Sequence, residues 1–125
     1  PPNAEDLVRA QRAIADAFED LAPPLPRTAL AVGGTARGLR KIVGDELTEE
    51  TLGSAVQLFS EKSSVQLAKR FGLEESRART MTAGVLILVE MQRRLNVGLR
   101  VARGGVRQGA ALALLAELGV EARSA

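Results

Sequence analysis

The 125-residue sequence contains no cysteine, histidine, tryptophan or tyrosine. Without cysteine and histidine, the chain has no disulfide, no thiolate or imidazole zinc site, no Ser-His-Asp triad and no imidazole acid–base group. Three phenylalanines are the only aromatic residues, which argues against a platform for stacking nucleic-acid bases. Long hydrophobic runs are missing too. The longest, Ala83 to Val89, is interrupted by Gly84 and ended by Glu90, far short of the roughly 20 residues that a membrane helix needs. No secretory leader is visible, so the expected location is cytoplasmic, with no membrane partner. Charge of one sign is not dominant: seventeen cations meet fifteen anions, for a net charge of +2. Only Lys41, Lys62 and Lys69 are lysines, and the other fourteen cations are arginines. An arginine-rich composition alone does not mark a nucleic-acid surface, which needs clustering on one face. Chemistry in this chain must therefore use carboxylates, hydroxyls, guanidinium groups and backbone amides.

Apolar residues make up 46% of the sequence, enough for one domain, residues 1–125, with a real core. The chain opens on Pro1-Pro2 without an initiator methionine, so it reads as a piece of something longer. Apolar positions from Ala4 to Leu21 recur at helical spacing behind Asn3, a good N-cap. Pro23, Pro24 and Pro26 then form a stiff connector. Thr28 to Val32 reads as a buried strand, and Thr35 to Val43 as a short helix ended by Gly44. Thr48 caps a helix reaching about Phe59, a further helix covers Ser64 to Phe71, and a long one runs from Glu74 or Glu75 to about Leu95. The middle of that long helix, Val85 to Val89, is apolar on all sides and is expected to be central and buried. Leu99 to Arg103 reads as a strand, and Val106 to Leu118 as a closing helix. The expected order is α-β-α-α-α-α-β-α, an α/β chain with few parallel strands and a mostly helical remainder. Two strands leave open sheet edges, so missing residues or a partner should complete the sheet.

The densest chemical signal is Leu30-Ala31-Val32-Gly33-Gly34-Thr35-Ala36, an apolar strand passing through a glycine pair into a helix. Such a corner presents backbone amides at a helix N-terminus, the usual way to approach a phosphate. Gly33 and Gly38 fit the outer glycines of a Walker loop, but Leu39 and Arg40 stand where Lys and Ser/Thr are required. The dinucleotide fingerprint fails as well, because the glycines are adjacent. A second corner lies at Arg103-Gly104-Gly105-Val106. The spacing of Ala68, Gly72, Ala78 and Met81 gives a helix-turn-helix pattern over residues 64–81, with Arg77 and Arg79 on its second helix. The carboxylate pairs Asp45/Glu46, Glu49/Glu50 and Glu74/Glu75 are sequence neighbours and diverge. The last two suit helix N-termini better than a catalytic dyad or a metal cage.

Three segments taken together resemble the Ppx/GppA phosphatases, the exopolyphosphatase and guanosine pentaphosphate phosphohydrolase family of the actin-like ATPase superfamily. They are Ala31 to Ala36, Arg77-Ala78 followed by Ala83-Gly84, and Gly105-Val106-Arg107-Gln108-Gly109-Ala110. The resemblance runs from about Asp6 to Leu118. It implies a partial actin-like (ribonuclease H-like) lobe, the C-terminal portion of the second lobe. The first lobe and the start of the second would then be absent from this chain. The intact enzyme would hydrolyse terminal phosphoanhydrides of polyphosphate or guanosine pentaphosphate, usually with Mg2+.

The resemblance also assigns roles. Gly33, Gly34 and Thr35 would be phosphate- or nucleotide-binding positions, Arg77 would fall on the family's Arg-Ala motif, and Arg107 on its terminal Arg-Glu-Gly signature. No catalytic residue and no metal ligand would lie in this chain, and the Mg2+ ligands would belong to the absent lobe. The expected partners are polyphosphate or guanosine tetra- or pentaphosphate, the N-terminal lobe, and, as an open option, a second copy in a homodimer. Two positions depart from the pattern: Gln108 replaces the signature glutamate, and Arg79 stands where an acidic residue is common. The alternatives are a non-catalytic nucleotide-sensing module of the same fold and, ranked last, a helix-turn-helix DNA-binding domain over residues 64–81.

Overall fold

The computed structural model describes residues 1–104 and 106–119. The elements are α1 (Ala4–Phe18), β1 (Ala29–Ala31), α2 (Gly34–Val43), β2 (Glu46–Leu47), α3 (Glu49–Glu61), α4 (Ser64–Phe71), α5 (Glu75–Leu95), β3 (Leu99–Val101) and α6 (Val106–Glu117). Helix starts follow local side-chain chemistry. The Asn3 side chain accepts the Asp6 amide at 2.8 Å. At α3 the caps are reciprocal: the Thr51 hydroxyl accepts the Thr48 amide at 2.8 Å, and the Thr48 hydroxyl accepts the Thr51 amide at 3.3 Å. Ser63 and Gln66 form the same kind of box at α4, with the Ser63 amide donating to Gln66 Oε1 at 2.9 Å. Each such cap contributes about 1 kcal/mol.

The sheet is three-stranded in the order β1-β3-β2. β1 runs parallel to β3, pairing Ala29 with Leu99 and Ala31 with Val101, whereas β2 runs antiparallel to β3. Strand periodicity sends Ala31, Leu47, Leu99 and Val101 into the core. Leu30, Glu46 and Arg100 share the opposite face, where Arg100 Nη2 meets Glu46 Oε1 at 2.8 Å across the strands. α2 and α3 pack on the inner face, α5 packs against both of them, and α4 packs on α5. Leu39, Leu47, Leu52, Phe59, Leu67, Met81 and Val85 are fully buried there, each contributing about 1.5–3 kcal/mol of transfer free energy. α2 and α5 meet through small residues. A Cβ on Gly38 would lie 2.9 Å from Met81 Cε, and one on Gly84 2.6 Å from Thr35 Cγ2.

Several expectations need correction. β2 was not legible, and it makes the sheet mixed instead of parallel, with three strands in place of two. A two-residue strand carries no periodicity, and its partner lies more than fifty positions away in sequence. β1 is an edge strand covered on one face only, so Leu30 is 61% and Val32 55% exposed, unlike a buried strand. α5 is buried along one side: Val85 and Leu86 are inside, but Ile87 is 39% exposed. α1 stops at Phe18, before Leu21, and β3 stops at Val101, before Arg103. No helix among the described residues is long and apolar enough to cross a membrane.

Candidate functional site

The corner after β1 is held open by backbone conformation. Gly33 has φ +104° and ψ −179°, a region that an L-residue enters only under strain. Nothing lies within 4 Å of where its Cβ would be, so conformation and not space requires glycine. Gly33 is also the N-cap of α2 and offers no side-chain acceptor to the first-turn amides. Those donors, with the positive end of the helix dipole, mark the spot as favourable for an anion.

Arg77 lies on that spot. A Cβ on Gly34 would overlap the Arg77 guanidinium, so glycine is what admits the side chain over the start of α2. Arg77 reaches this position because α4 ends at Gly72, in the left-handed conformation with φ 64°, and the chain turns at once into α5. Lys41 Nζ spans the same turn, donating to the Gly72 carbonyl at 3.5 Å.

Between α2 and the start of α5 lies a groove of about 450 Å³, bordered by Gly34, Arg37, Arg40, Lys41, Glu74 and Arg77. Four cations thus face one carboxylate. Arg40 is 3.8 Å from Asp45, while Arg37, Lys41 and Arg77 are in no ion pair among the described residues. Unpaired cations around a concave surface concentrate positive potential there.

The structure brings Gly33, Gly34 and Arg77 together. It turns the Thr35 side chain away, against Gly84 of α5, so Thr35 offers this groove only its backbone. Arg107 opens α6, but its side chain, like Gly105, lies outside the described residues. Gln108 is exposed in α6. Arg79 pairs with Glu75 at 2.7 Å. The helix-turn-helix spacing does produce a helix pair, α4 and α5, yet its Arg77 guanidinium rests on α2. Arg37, Arg40, Lys41 and Glu74 were missed as groove residues. The one available signal was the i, i+4 spacing of Arg37 and Lys41 just behind the glycine corner. Among the described residues no group of three or more His, Cys, Asp or Glu could hold a metal ion.

A second electrostatic centre is structural. Glu90 is buried on α5; Arg93 Nη2 donates to both its oxygens at 2.8 Å, and Arg94 Nε to one at 2.7 Å. Arg94 also donates to the Ala15 carbonyl at 3.2 Å and the Leu21 carbonyl at 3.4 Å, tying α1 to α5. Burial pushes the Glu90 carboxyl up, but the hydrogen bonds and charges of Arg93 and Arg94 outweigh it and hold its pKa below the ordinary 4.5.

The Aquifex aeolicus member of the Ppx/GppA family aligns with a TM-score of 0.84 at 22% identity, over 97% of this chain and 44% of that one. The chain shares the Ppx/GppA fold. Two further Aquifex aeolicus structures agree: the PPX-GPPA enzyme at TM-score 0.81 and 23% identity, and the type II variant of the Ppx/GppA phosphatase at 0.80 and 24%. Each covers 90% of this chain and 42% of its own length. This chain therefore spans less than half the length of the Ppx/GppA structures it matches. No family model matches the sequence, and no curated protein matches it.

Proposed function

We propose that the chain is the C-terminal part of the second, actin-like lobe of a Ppx/GppA-type phosphatase. In this reading the groove at Gly34 and Arg77 forms one wall of the cleft that holds polyphosphate or guanosine pentaphosphate during hydrolysis of a terminal phosphoanhydride. The observation that carries the proposal is the Arg77 guanidinium lying over Gly34 at the N-terminus of α2. A phosphate there meets a planar charged donor and first-turn amides together. Arg37 and Lys41 supply further positive charge one and two turns along α2, and the shared fold supports the family.

The role of these residues is electrostatic and positional, which is most of what a protein contributes to phosphoryl transfer. Arg77 orients the phosphate, the α2 amides accept part of its charge, and Arg37 and Lys41 hold the groups behind it. In this reading the general base and the Mg2+ ligands belong to the lobe outside this chain. Closure of that lobe onto the groove would complete the site. The intact protein is then the enzyme, and residues 1–125 alone are inactive.

Calorimetric titration of residues 1–125 with tripolyphosphate tests this. Arg77→Ala should weaken binding about tenfold, the loss of one charge-assisted contact, while Arg79→Ala leaves it unchanged. Equal affinity in the Arg77→Ala chain, or release of phosphate by the chain alone, contradicts the proposal.

A further inference from the structure

A second groove lies toward the far end of α5, with Arg93 roughly 24 Å along the helix axis from Arg77 at 1.5 Å per residue. Its volume is about 350 Å³, and Glu49, Gly53 and Val56 of α3 line it together with Val89, Arg93 and Asn96 of α5. Each trio falls on one helix face, at i, i+4 and i+7. The two helices run in opposite directions, because the chain just beyond α5 returns to the start of α3: a Cβ on Gly98 would lie 3.5 Å from Thr48 Cγ2. Glu49 is therefore level with Asn96, and Val56 with Val89. One end of the groove is polar and the other apolar.

Two features of the walls point to a ligand. Gly53 sits inside α3, where glycine weakens a helix relative to alanine. Its φ is not positive, and nothing lies within 4 Å of where its Cβ would be. Neither backbone conformation nor packing calls for glycine there; the missing side chain gives the groove its depth. The second feature is a pair of opposite charges that do not meet. Glu49 makes no ion pair among the described residues. Arg93 is anchored to Glu90 through Nη2 alone, so its Nε and Nη1 keep their donors for another acceptor.

We infer that this groove binds a free aliphatic α-amino acid, with its carboxylate on Arg93, its ammonium on Glu49 and its side chain over Gly53 toward Val56 and Val89. An α-amino acid carries both charges beside one apolar arm, which is the pattern the walls present. Both polar contacts are charge-assisted hydrogen bonds. Asn96 adds an amide oxygen that accepts from the ammonium group, and the volume falls within the range of small-ligand sites. The inference is independent of the anion groove at Arg77.

The experiment titrates isotope-labelled residues 1–125 with L-leucine, following the amide resonances of Gly53 and Asn96. It is repeated with isoamylamine, which lacks the carboxylate, and with isocaproate, which lacks the ammonium. Leucine should give saturable shifts, and each analogue should bind about tenfold more weakly or worse, having lost one charge-assisted contact. Glu49→Gln and Arg93→Gln should each weaken leucine by a similar factor. Gly53→Leu should abolish binding while circular dichroism shows a folded helical chain, and Arg77→Ala should leave leucine affinity unchanged. No saturable shift with leucine, or either analogue binding as tightly as leucine, overturns the inference. So does unchanged leucine affinity in Gly53→Leu, or its loss in Arg77→Ala, which would put the ligand elsewhere.

Discussion

Replacing Glu90 with alanine probes the link between α1 and the rest of the domain. The carboxylate takes three hydrogen bonds from two guanidinium groups, and the two arginines differ in surroundings: the Arg93 side chain is 67% exposed and that of Arg94 22%. Without its partner, Arg93 returns to water at little cost. Arg94 stays half-enclosed beside α1, with the Phe18 ring 6.0 Å away, and loses the carboxylate that neutralises and orients it. A charge-assisted hydrogen bond contributes about 1.5–3 kcal/mol, and breaking a fully buried pair costs about 3–5. This cluster is partly solvated, so the expected loss is about 2–3 kcal/mol, or roughly 10 °C in Tm for a domain of this size. The pH dependence has a definite sign. The folded-state pKa of Glu90 lies below the ordinary 4.5. The unfolded chain therefore binds more protons in that interval, and the stability is present above pH 4.5 and lost as pH falls through the folded value. Urea denaturation should be followed by far-ultraviolet circular dichroism, because the chain has neither tryptophan nor tyrosine. The gap between the parent and Glu90→Ala should be largest near pH 7 and shrink below pH 4.5. A gap under about 0.5 kcal/mol at pH 7, the size expected of an exposed pair such as Arg79 with Glu75, would refute the reasoning. A gap independent of pH would refute it as well.

Other substitutions separate conformation from packing. Gly33→Ala should cost about 1–2 kcal/mol through its positive φ alone, measurable by urea denaturation, since no atom crowds that position. Gly84→Val should cost about 1–3 kcal/mol by forcing the Thr35 side chain out of the α2–α5 contact, and paired with Thr35→Ala the loss should be less than additive in a double-mutant cycle. Phe59→Ala, in the fully buried core, should lower stability by about 3–5 kcal/mol in the same assay. Leu30→Lys, on the exposed face of β1, should change stability by less than about 0.5 kcal/mol.

Elements governed by neighbouring residues were legible in the sequence. Asn3 and Thr48 announced the starts of α1 and α3, and Gly72 the turn between α4 and α5, because caps and turns act within a few residues. β2 was not legible, since Glu46 and Leu47 become a strand only by pairing with Arg100 and Leu99. The exposure of Leu30 and Ile87 was hidden for a related reason: apolar residue type does not say how many faces of an element are covered. At the candidate site, Gly33, Gly34 and Arg77 were singled out, but the contact between Gly34 and Arg77 depends on how α2 and α5 cross. That crossing also turns Thr35 toward Gly84. Arg37, Lys41 and Glu74 looked like ordinary surface charges until the fold set them around one groove. Glu90 looked like the residue that merely ends an apolar run, whereas it is buried and bonded to Arg94, which reaches back to α1.

The most direct test of the account is a titration of isotope-labelled residues 1–125 with tripolyphosphate, followed amide by amide in nuclear magnetic resonance spectra. The account predicts shifts concentrated at Gly34, Thr35, Arg37 and Arg77, and their loss in the Arg77→Ala chain. Shifts centred on α1 or α3, or a pattern unchanged by Arg77→Ala, would contradict it.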